Sequence, residues 1–227
     1  MLGTFVKLYG VVGLAFFFFS KHKIKFIGWL LLWAVVMLLS PMLISSPDYV
    51  LSQYVEWSQS LLAKNGENVA SIAQNISLLG LIRRISQCTS YSDSWVLLGG
   101  LIVFALPYLR IKQYKYEAFR YTLLASVLLF VVLFSTGSES STYIIAFIGV
   151  AIWYIAAPWQ RSRWDIALMI FAMILTSFSP SDLFPAYVRR EIVQPYALKA
   201  LPCVLIWLKL SYEMCRKEYA PIQNKAN

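Results

Sequence analysis

Two short polar segments contain the side chains best suited to chemistry. In the first, residues 75–84, Asn75 and Ser77 precede an apolar stretch that ends in the pair Arg83 and Arg84. A guanidinium group presents a planar fork of donors that suits the oxygen atoms of a phosphate or pyrophosphate. Basic residues at the carboxyl end of a helix also stabilise the helix dipole. The arginine pair therefore predicts either an anion contact or a structural cap.

The second segment, residues 135–143, is rich in hydroxyl groups and contains one glycine, Gly137. Glu139 is the only carboxylate between two strongly apolar runs, and Ser140 and Tyr143 lie beside it. A carboxyl group partly removed from water can exchange a proton or bind a sugar hydroxyl. The alternative is a solvated turn in which Ser side chains cap the next helix.

Side chains for a metal centre or a Ser-His-Asp triad are scarce. The chain has one histidine, His22, in a basic segment. Cys88, Cys203 and Cys215 fall at different predicted depths in the membrane and show no metal-ligand spacing. We therefore predict no metal and no cofactor, and we assign no residue a catalytic role.

Long apolar runs must position the two polar segments. The chain is 59% hydrophobic and 14% charged, against roughly 45–50% and 25% in soluble domains. Spanning segments need about 20 apolar residues, and a helix satisfies its own backbone groups in lipid. We predict one all-α polytopic membrane domain over residues 1–227, with about seven transmembrane helices. These are residues 3–20, 26–46, 95–109, 119–136, 143–158, 166–180 and 196–210.

The basic residues predict the orientation of these helices. Most Lys and Arg residues fall in every second connection, and cytoplasmic loops carry such an excess. We predict integral insertion in a bacterial inner or plasma membrane, with the amino terminus outside and the carboxyl terminus in the cytoplasm. The last outer loop, residues 181–195, adds Arg189 and Arg190 as candidates for an anion. The net charge of +9 indicates contact with membrane lipids rather than nucleic acid, since it is dispersed.

The long connection at residues 47–94 is predicted to lie outside the membrane and to have structure of its own. Apolar residues recur at helical spacing in residues 49–62 and again in residues 68–85, with a stop-and-turn signal at residues 64–66. We predict two amphipathic helices lying in the membrane interface. A small outer cap with no substrate role is the alternative.

The first polar segment, residues 75–84, resembles the outer-loop signature of glycosyltransferase family 87, whose members use polyprenyl-phosphate sugars. Residues 133–136 and 139–143 are similar to a polar break at the end of a late span in that family, and residues 7–10 resemble another family element. The resemblance extends over nearly the whole chain. It implies a partial GT-C-like fold.

The resemblance also implies an activity and roles for the polar residues. A hexose would move from a polyprenyl-phosphate-linked donor to a lipid-linked or glycan acceptor on the extracytoplasmic face. Phosphate contacts are implied for Arg83 and Arg84, and sugar or loop positioning for Asn75 and Ser77. Acceptor contacts are implied for the residues of the second segment, namely Glu139, Ser140 and Tyr143.

Family members are longer and carry an acidic catalytic residue in a large first outer loop. This chain is therefore expected to correspond to a carboxyl-terminal half, with a separate amino-terminal half as a partner. A non-catalytic membrane subunit is one alternative, and a protein for export or polymerisation of surface polysaccharide is another. The predicted span interiors carry almost no ionisable groups, which argues against a transport path.

Overall fold

All regular structure in the described residues is helical. The computed structural model describes residues 8–71, 74–87, 92–182 and 184–220, and its elements there are α-, 3₁₀- and π-helices. The predicted all-α class is confirmed for these residues. The chain divides into two compact units, Met1–Glu67 and Asn68–Asn227.

The first unit contains the most apolar helix. A 3₁₀-helix, Leu8–Phe19, precedes helix α1, Lys23–Leu39, which ends in a 3₁₀ turn, Ser40–Leu43. Together α1 and this turn form Lys23–Leu43, which is long and apolar enough to cross a membrane. None of the residues of α1 is buried, and Trp29 is among its exposed side chains. This helix matches the predicted span at residues 26–46.

Helix α2 corrects the predicted turn at residues 64–66. It runs from Pro47 to Ala70 without interruption, so the predicted boundary is wrong. Glycine inside a helix costs only about 1 kcal/mol relative to alanine, so Gly66 alone need not end one. An ion pair one turn apart, Lys64 Nζ to Glu67 Oε2 at 3.2 Å, lies across the same stretch.

The second unit contains the remaining helices. They are α3 (Leu78–Ser86), α4 (Asp93–Ala105), α5 (Glu117–Leu133), α6 (Tyr143–Ala156), α7 (Arg163–Ala172), α8 (Ala186–Val188) and α9 (Leu201–Arg216). Short 3₁₀ turns lie at Leu106–Leu109, Ile111–Gln113 and Leu198–Ala200, while π-helical turns continue α7 at Met173–Phe178 and α8 at Arg189–Val193. Both predicted polar segments belong to this unit.

Helix α5 lies at the centre of the second unit, packed against α6 and α9. Gly149 on α6 allows close approach, because a Cβ atom there would lie 2.9 Å from the carbonyl oxygen of Ala125. The Trp207 indole on α9 donates a hydrogen bond to Ser126 Oγ at 3.2 Å. The core is mainly apolar, and it includes Leu123, Leu129, Val132, Ala146, Val150, Trp153, Ile206 and Leu210.

The predicted spans of the second unit coincide with shorter helices. Asp93–Leu109 and Tyr143–Ala156 are apolar but fall below the length of a full span. Among the described residues, Lys23–Leu43 is the one helical segment long and apolar enough to cross a membrane. A bent pair of helices would be a second candidate if the pair is counted as a single span. That pair is Ala186–Val193 and Leu198–Arg216, bent by 91°. The seven-span topology stays a prediction.

The span predicted at residues 196–210 is displaced toward the carboxyl end. Helix α9 begins at Leu201 and continues to Arg216. The start is late because Ala197 has a left-handed backbone with φ of 50°, a conformation that interrupts a right-handed helix. Pro202 then occupies the first turn of α9, where proline is well tolerated.

Candidate functional site

The start of α3 is built by Ser77. Its hydroxyl accepts a hydrogen bond from the Gly80 amide at 3.1 Å and donates one to Asn75 Oδ1 at 2.6 Å. Both side chains are buried, with exposures of 0% for Ser77 and 1% for Asn75. An N-cap of this kind satisfies an amide of the first helical turn. The second amphipathic helix therefore begins at Leu78 rather than at residue 68 as predicted.

Gly80 lets the chain before α3 fold back tightly. Asn75 has a left-handed backbone with φ of 55°, which asparagine tolerates better than most residues. Its carbonyl oxygen then lies so close to Gly80 that a Cβ atom there would overlap it. The Asn75–Gly80 turn thus depends on the absence of a side chain at Gly80.

The two predicted polar segments contact each other through Ile76. The Ile76 amide donates a hydrogen bond to the carbonyl of Ser138 at 2.8 Å. The Tyr143 hydroxyl donates one to the Ile76 carbonyl at 2.9 Å. Beside them, Gln74 Nε2 lies 3.5 Å from Glu139 Oε1. Residues separated by more than sixty positions in the sequence are therefore hydrogen-bonded to one another.

Hydroxyl groups fold the second segment into a structured turn. The Ser138 hydroxyl donates to the Val132 carbonyl at 2.6 Å, and Thr142 Oγ1 accepts from the Glu139 amide at 3.2 Å. Thr142 precedes α6 but makes no side-chain cap, so the predicted capping is not observed. Glu139 is exposed, which favours the solvated turn over a carboxyl group partly removed from water.

Arg83 and Arg84 both have protein partners. Arg83 Nη2 lies 2.7 Å from Asp93 Oδ1 in an ion pair. Burial lowers the pKa of Arg84 from its usual value, although a guanidinium group stays protonated at neutral pH. Its nitrogen atoms donate at 2.9–3.1 Å to backbone carbonyls of Ser71, Gln74 and Gln194. These contacts indicate a structural role, and the predicted phosphate contact would be an additional one.

A small cavity of about 50 Å³ lies next to the Ile76 backbone. Two cations, Lys199 and Arg189, contribute to its wall together with the hydroxyl residues Ser140 and Ser179. Apolar side chains form much of the rest, including Pro180 and Val193. Arg189, a predicted anion candidate, therefore lies at the cavity, whereas Arg190 is exposed and not part of the wall.

Sequence reasoning missed Lys199. Its side chain is only 6% exposed, and Nζ donates to the carbonyl and to the hydroxyl of Ser140, both at 2.8 Å. The ammonium group also lies 5.2 Å from the centre of the Tyr143 ring. A lone lysine between apolar residues at the start of a predicted span was the available signal, because ionisable residues in such segments are expensive and usually functional.

A second group of buried charges lies around Glu213 on α9. Glu213 is 1% exposed and accepts a hydrogen bond from the Trp153 indole at 3.0 Å. Its carboxylate also pairs with Arg161 at 3.4 Å and with Lys217 at 3.2 Å. Glu213, Arg161 and Lys217 lie outside the bounds of the predicted spans, so this group does not bear on the prediction that span interiors carry almost no ionisable groups. This group is internally paired, which favours a structural role.

Cys203 and Cys215 are free thiols, whereas Cys88 lies outside the described residues. Lys7, the first of the residues 7–10 that resemble a family element, also lies outside them. Within the described ranges, no group of three or more His, Cys, Asp or Glu side chains is arranged to hold a metal ion.

Comparison with known families adds information that the geometry does not carry. The profile described as glycosyltransferase family 87 matches residues 1–136. The match includes all of the first polar segment, residues 75–84, and ends inside the second, residues 135–143. Support for the resemblance thus covers more than half of the chain rather than nearly all of it. No curated protein and no solved structure matches the chain.

Proposed function

The chain belongs to glycosyltransferase family 87, and from this premise we propose that it transfers a hexose from a polyprenyl-phosphate donor to a lipid-linked or glycan acceptor. One observation connects the proposed activity with particular residues. The segment at residues 75–84, which lies inside the family match, is hydrogen-bonded through Ile76 to Ser138 and Tyr143 of the second segment. The two segments for which the resemblance implies donor and acceptor contacts are therefore in contact with each other.

We propose that the chain is integral to the membrane, with its amino terminus outside and its carboxyl terminus in the cytoplasm. The family is membrane-associated, and Lys23–Leu43 is long and apolar enough to span. Its exposed side chains include Trp29, Leu31 and Trp33, and a large exposed apolar surface favours contact with lipid. The distribution of Lys and Arg supports the orientation.

The transfer reaction needs a base for the acceptor hydroxyl and stabilisation of the departing phosphate. Glu139 is exposed beside Gln74, and we propose that it accepts a hydrogen bond from an acceptor hydroxyl, with the exposed Ser140 next to it in the chain. Tyr143 is buried and its hydroxyl donates to the Ile76 carbonyl, which favours positioning of the segment over direct acceptor contact. The buried contacts of Asn75 and Ser77 favour loop positioning over direct sugar binding. No residue is assigned as the catalytic base.

Sugar transfer by membranes that contain the protein tests this function. The donor is a polyprenyl-phosphate-linked hexose with a radiolabelled sugar, and native membrane lipids and glycans serve as acceptors. We expect consumption of the donor above the level of membranes without the protein. Glu139→Gln should lower the rate about tenfold or more, since a hydrogen bond to a charged group contributes about 1.5–3 kcal/mol.

Glu117→Gln is the matched control, because Glu117 is also an exposed carboxylate but lies at the start of α5, away from the polar segments. We expect its rate to equal that of the wild type. Equal consumption of the donor by membranes with and without the protein would contradict the proposed function. A Glu139→Gln rate equal to that of the wild type would remove Glu139 from the site.

A further inference from the structure

Lys199 differs from the other buried charges in lacking an acidic partner. Among the described residues, Asp165 and Glu213 pair with lysine or arginine within 4 Å, whereas Lys199 has no carboxylate at that distance. Its observed acceptors are both atoms of Ser140 and are uncharged. Removing an ammonium group from water without a counter-charge is unfavourable. An anion beside Lys199 would relieve that penalty.

The cavity supplies the space for such an anion. It is bounded by Lys199, by Arg189 and by the hydroxyl residues Ser140 and Ser179. Arg189 donates to the Pro180 and Ser181 carbonyls at 3.2 and 3.3 Å, and its ion pair with the exposed Asp182 is long, at 3.8 Å. Two cations therefore reach the same cavity with little neutralisation by carboxylates.

The size of the cavity limits its ligand. Its volume of about 50 Å³ corresponds to a few water molecules, since one needs roughly 10–15 Å³ of such space. This space is small for a hexose ring, whereas a single tetrahedral oxyanion is of suitable size. The partly apolar wall lowers the local dielectric, which strengthens attraction between a cation and an anion.

We propose that this cavity binds a phosphate group, with Lys199 and Arg189 as its cationic contacts. An ammonium group has three donors, and two of those on Lys199 are used by Ser140. The third is available to a phosphate oxygen. Identification of this phosphate with the leaving group of the lipid donor rests on the proposed function, whereas binding of phosphate as such does not.

Ligand binding to the purified full chain in detergent tests the inference. The ligands are inorganic phosphate, dodecyl phosphate and, as an uncharged control, dodecanol. Binding is followed by the rise in Tm with ligand concentration, because a ligand that binds only the folded state stabilises it. We expect a saturable rise with a phosphate ligand and none with dodecanol. Lys199→Met should raise Kd about tenfold or more.

Lys112→Met is the matched control, since it removes one lysine charge from an exposed position and should leave Kd unchanged. Arg189→Gln is a second test variant and should also weaken binding, which keeps the inference testable if Lys199→Met does not fold. A rise with inorganic phosphate as large as with dodecyl phosphate would identify free phosphate as the ligand. A rise with dodecyl phosphate alone would identify a lipid headgroup.

Two results would overturn the inference. One is a wild-type protein whose Tm responds to neither phosphate ligand. The other is unchanged affinity in the folded variants that remove Lys199 or Arg189. The experiments distinguish failure of the phosphate site from failure of the proposed function. A protein that binds phosphate but consumes no donor would contradict the transferase activity and leave the phosphate site intact.

Discussion

Gly80 and Asn75 form the tightest backbone contact near the candidate site. A methyl group on Gly80 would overlap the Asn75 carbonyl oxygen. That oxygen cannot withdraw easily, because the Asn75 side chain is held by Ser77 and the Ile76 amide is held by Ser138. Steric contact as well as hydrogen bonding therefore fixes the conformation at the start of α3.

We predict that Gly80→Ala lowers the free energy of unfolding by about 2 kcal/mol, within the range of about 1–3 kcal/mol for overpacked sites. Thermal unfolding of the protein in detergent, followed by circular dichroism, measures the change. Gly99→Ala is the control, because a Cβ atom there meets nothing within 4 Å, and alanine in a helix is favoured over glycine. A Gly80→Ala protein as stable as the wild type would contradict the prediction.

Part of the candidate site could be recognised in the sequence from the types of its residues. Asn75, Ser77 and Glu139 stood out because they are polar within apolar surroundings, and the structure brings their segments together. Lys199 was missed although it too is polar within apolar surroundings, and its contact with Ser140, 59 positions earlier, could not be inferred from the sequence. Local sequence patterns describe neighbours along the chain, whereas burial and hydrogen bonding of a single side chain depend on tertiary contacts.

At the scale of elements, the pairing of α5 with α6 holds the second polar segment in place. The segment is the connection between these two helices, and they pack tightly at Gly149, beside the Ala125 carbonyl. Small residues at such crossings allow close packing of helices in membranes. Separation of α5 from α6 would therefore also alter the connection that carries Glu139.

We predict that Gly149→Val destabilises the protein by about 1–3 kcal/mol, because the new side chain must push α6 away from Ala125. The Tm in detergent should fall, and donor consumption should fall with it. Gly99→Val on α4 is the matched control, since its Cβ atom would project into open space. The interpretation of the α5–α6 contact would be wrong if both variants had the same Tm.

Helix positions were predictable, but several helix ends were not. Apolar runs placed most helices correctly because burial of apolar surface dominates their stability. The ends depend on weaker local effects. Gly66 did not break α2, and the left-handed Ala197 delayed the start of α9. A glycine inside a helix or a charge pair one turn apart changes the stability of the helix by about 1 kcal/mol or less, and tertiary packing readily overrides such an effect.

At the scale of the whole molecule, composition predicts a membrane protein, but helix lengths leave the number of spans open. The apolar content exceeds that of soluble domains, and α1 exposes its apolar side chains. Helices such as Tyr143–Ala156 are shorter than a bilayer crossing. Short apolar helices occur in both spanning and re-entrant segments, so sidedness has to be measured directly.

We predict that Ser141 faces the outside and Lys112 the cytoplasm, because basic residues concentrate in the connection around Lys112. Single cysteines at these positions, in a background without Cys88, Cys203 and Cys215, are treated with an impermeant maleimide in intact cells. Ser141→Cys should react at once, and Lys112→Cys only after the cells are permeabilised. Labelling of both in intact cells, or only of Lys112→Cys, would refute the orientation.

The sharp bend between Ala186–Val193 and Leu198–Arg216, 91° in angle, restricts what can surround it. Peptide groups that leave a helix cannot remain unsatisfied in hydrocarbon, so such a break needs either covering protein or water. Lys199 lies directly after this break. Because Lys199 is only 6% exposed, this requirement is met there mainly by covering protein, and water is expected only in the small cavity beside Lys199.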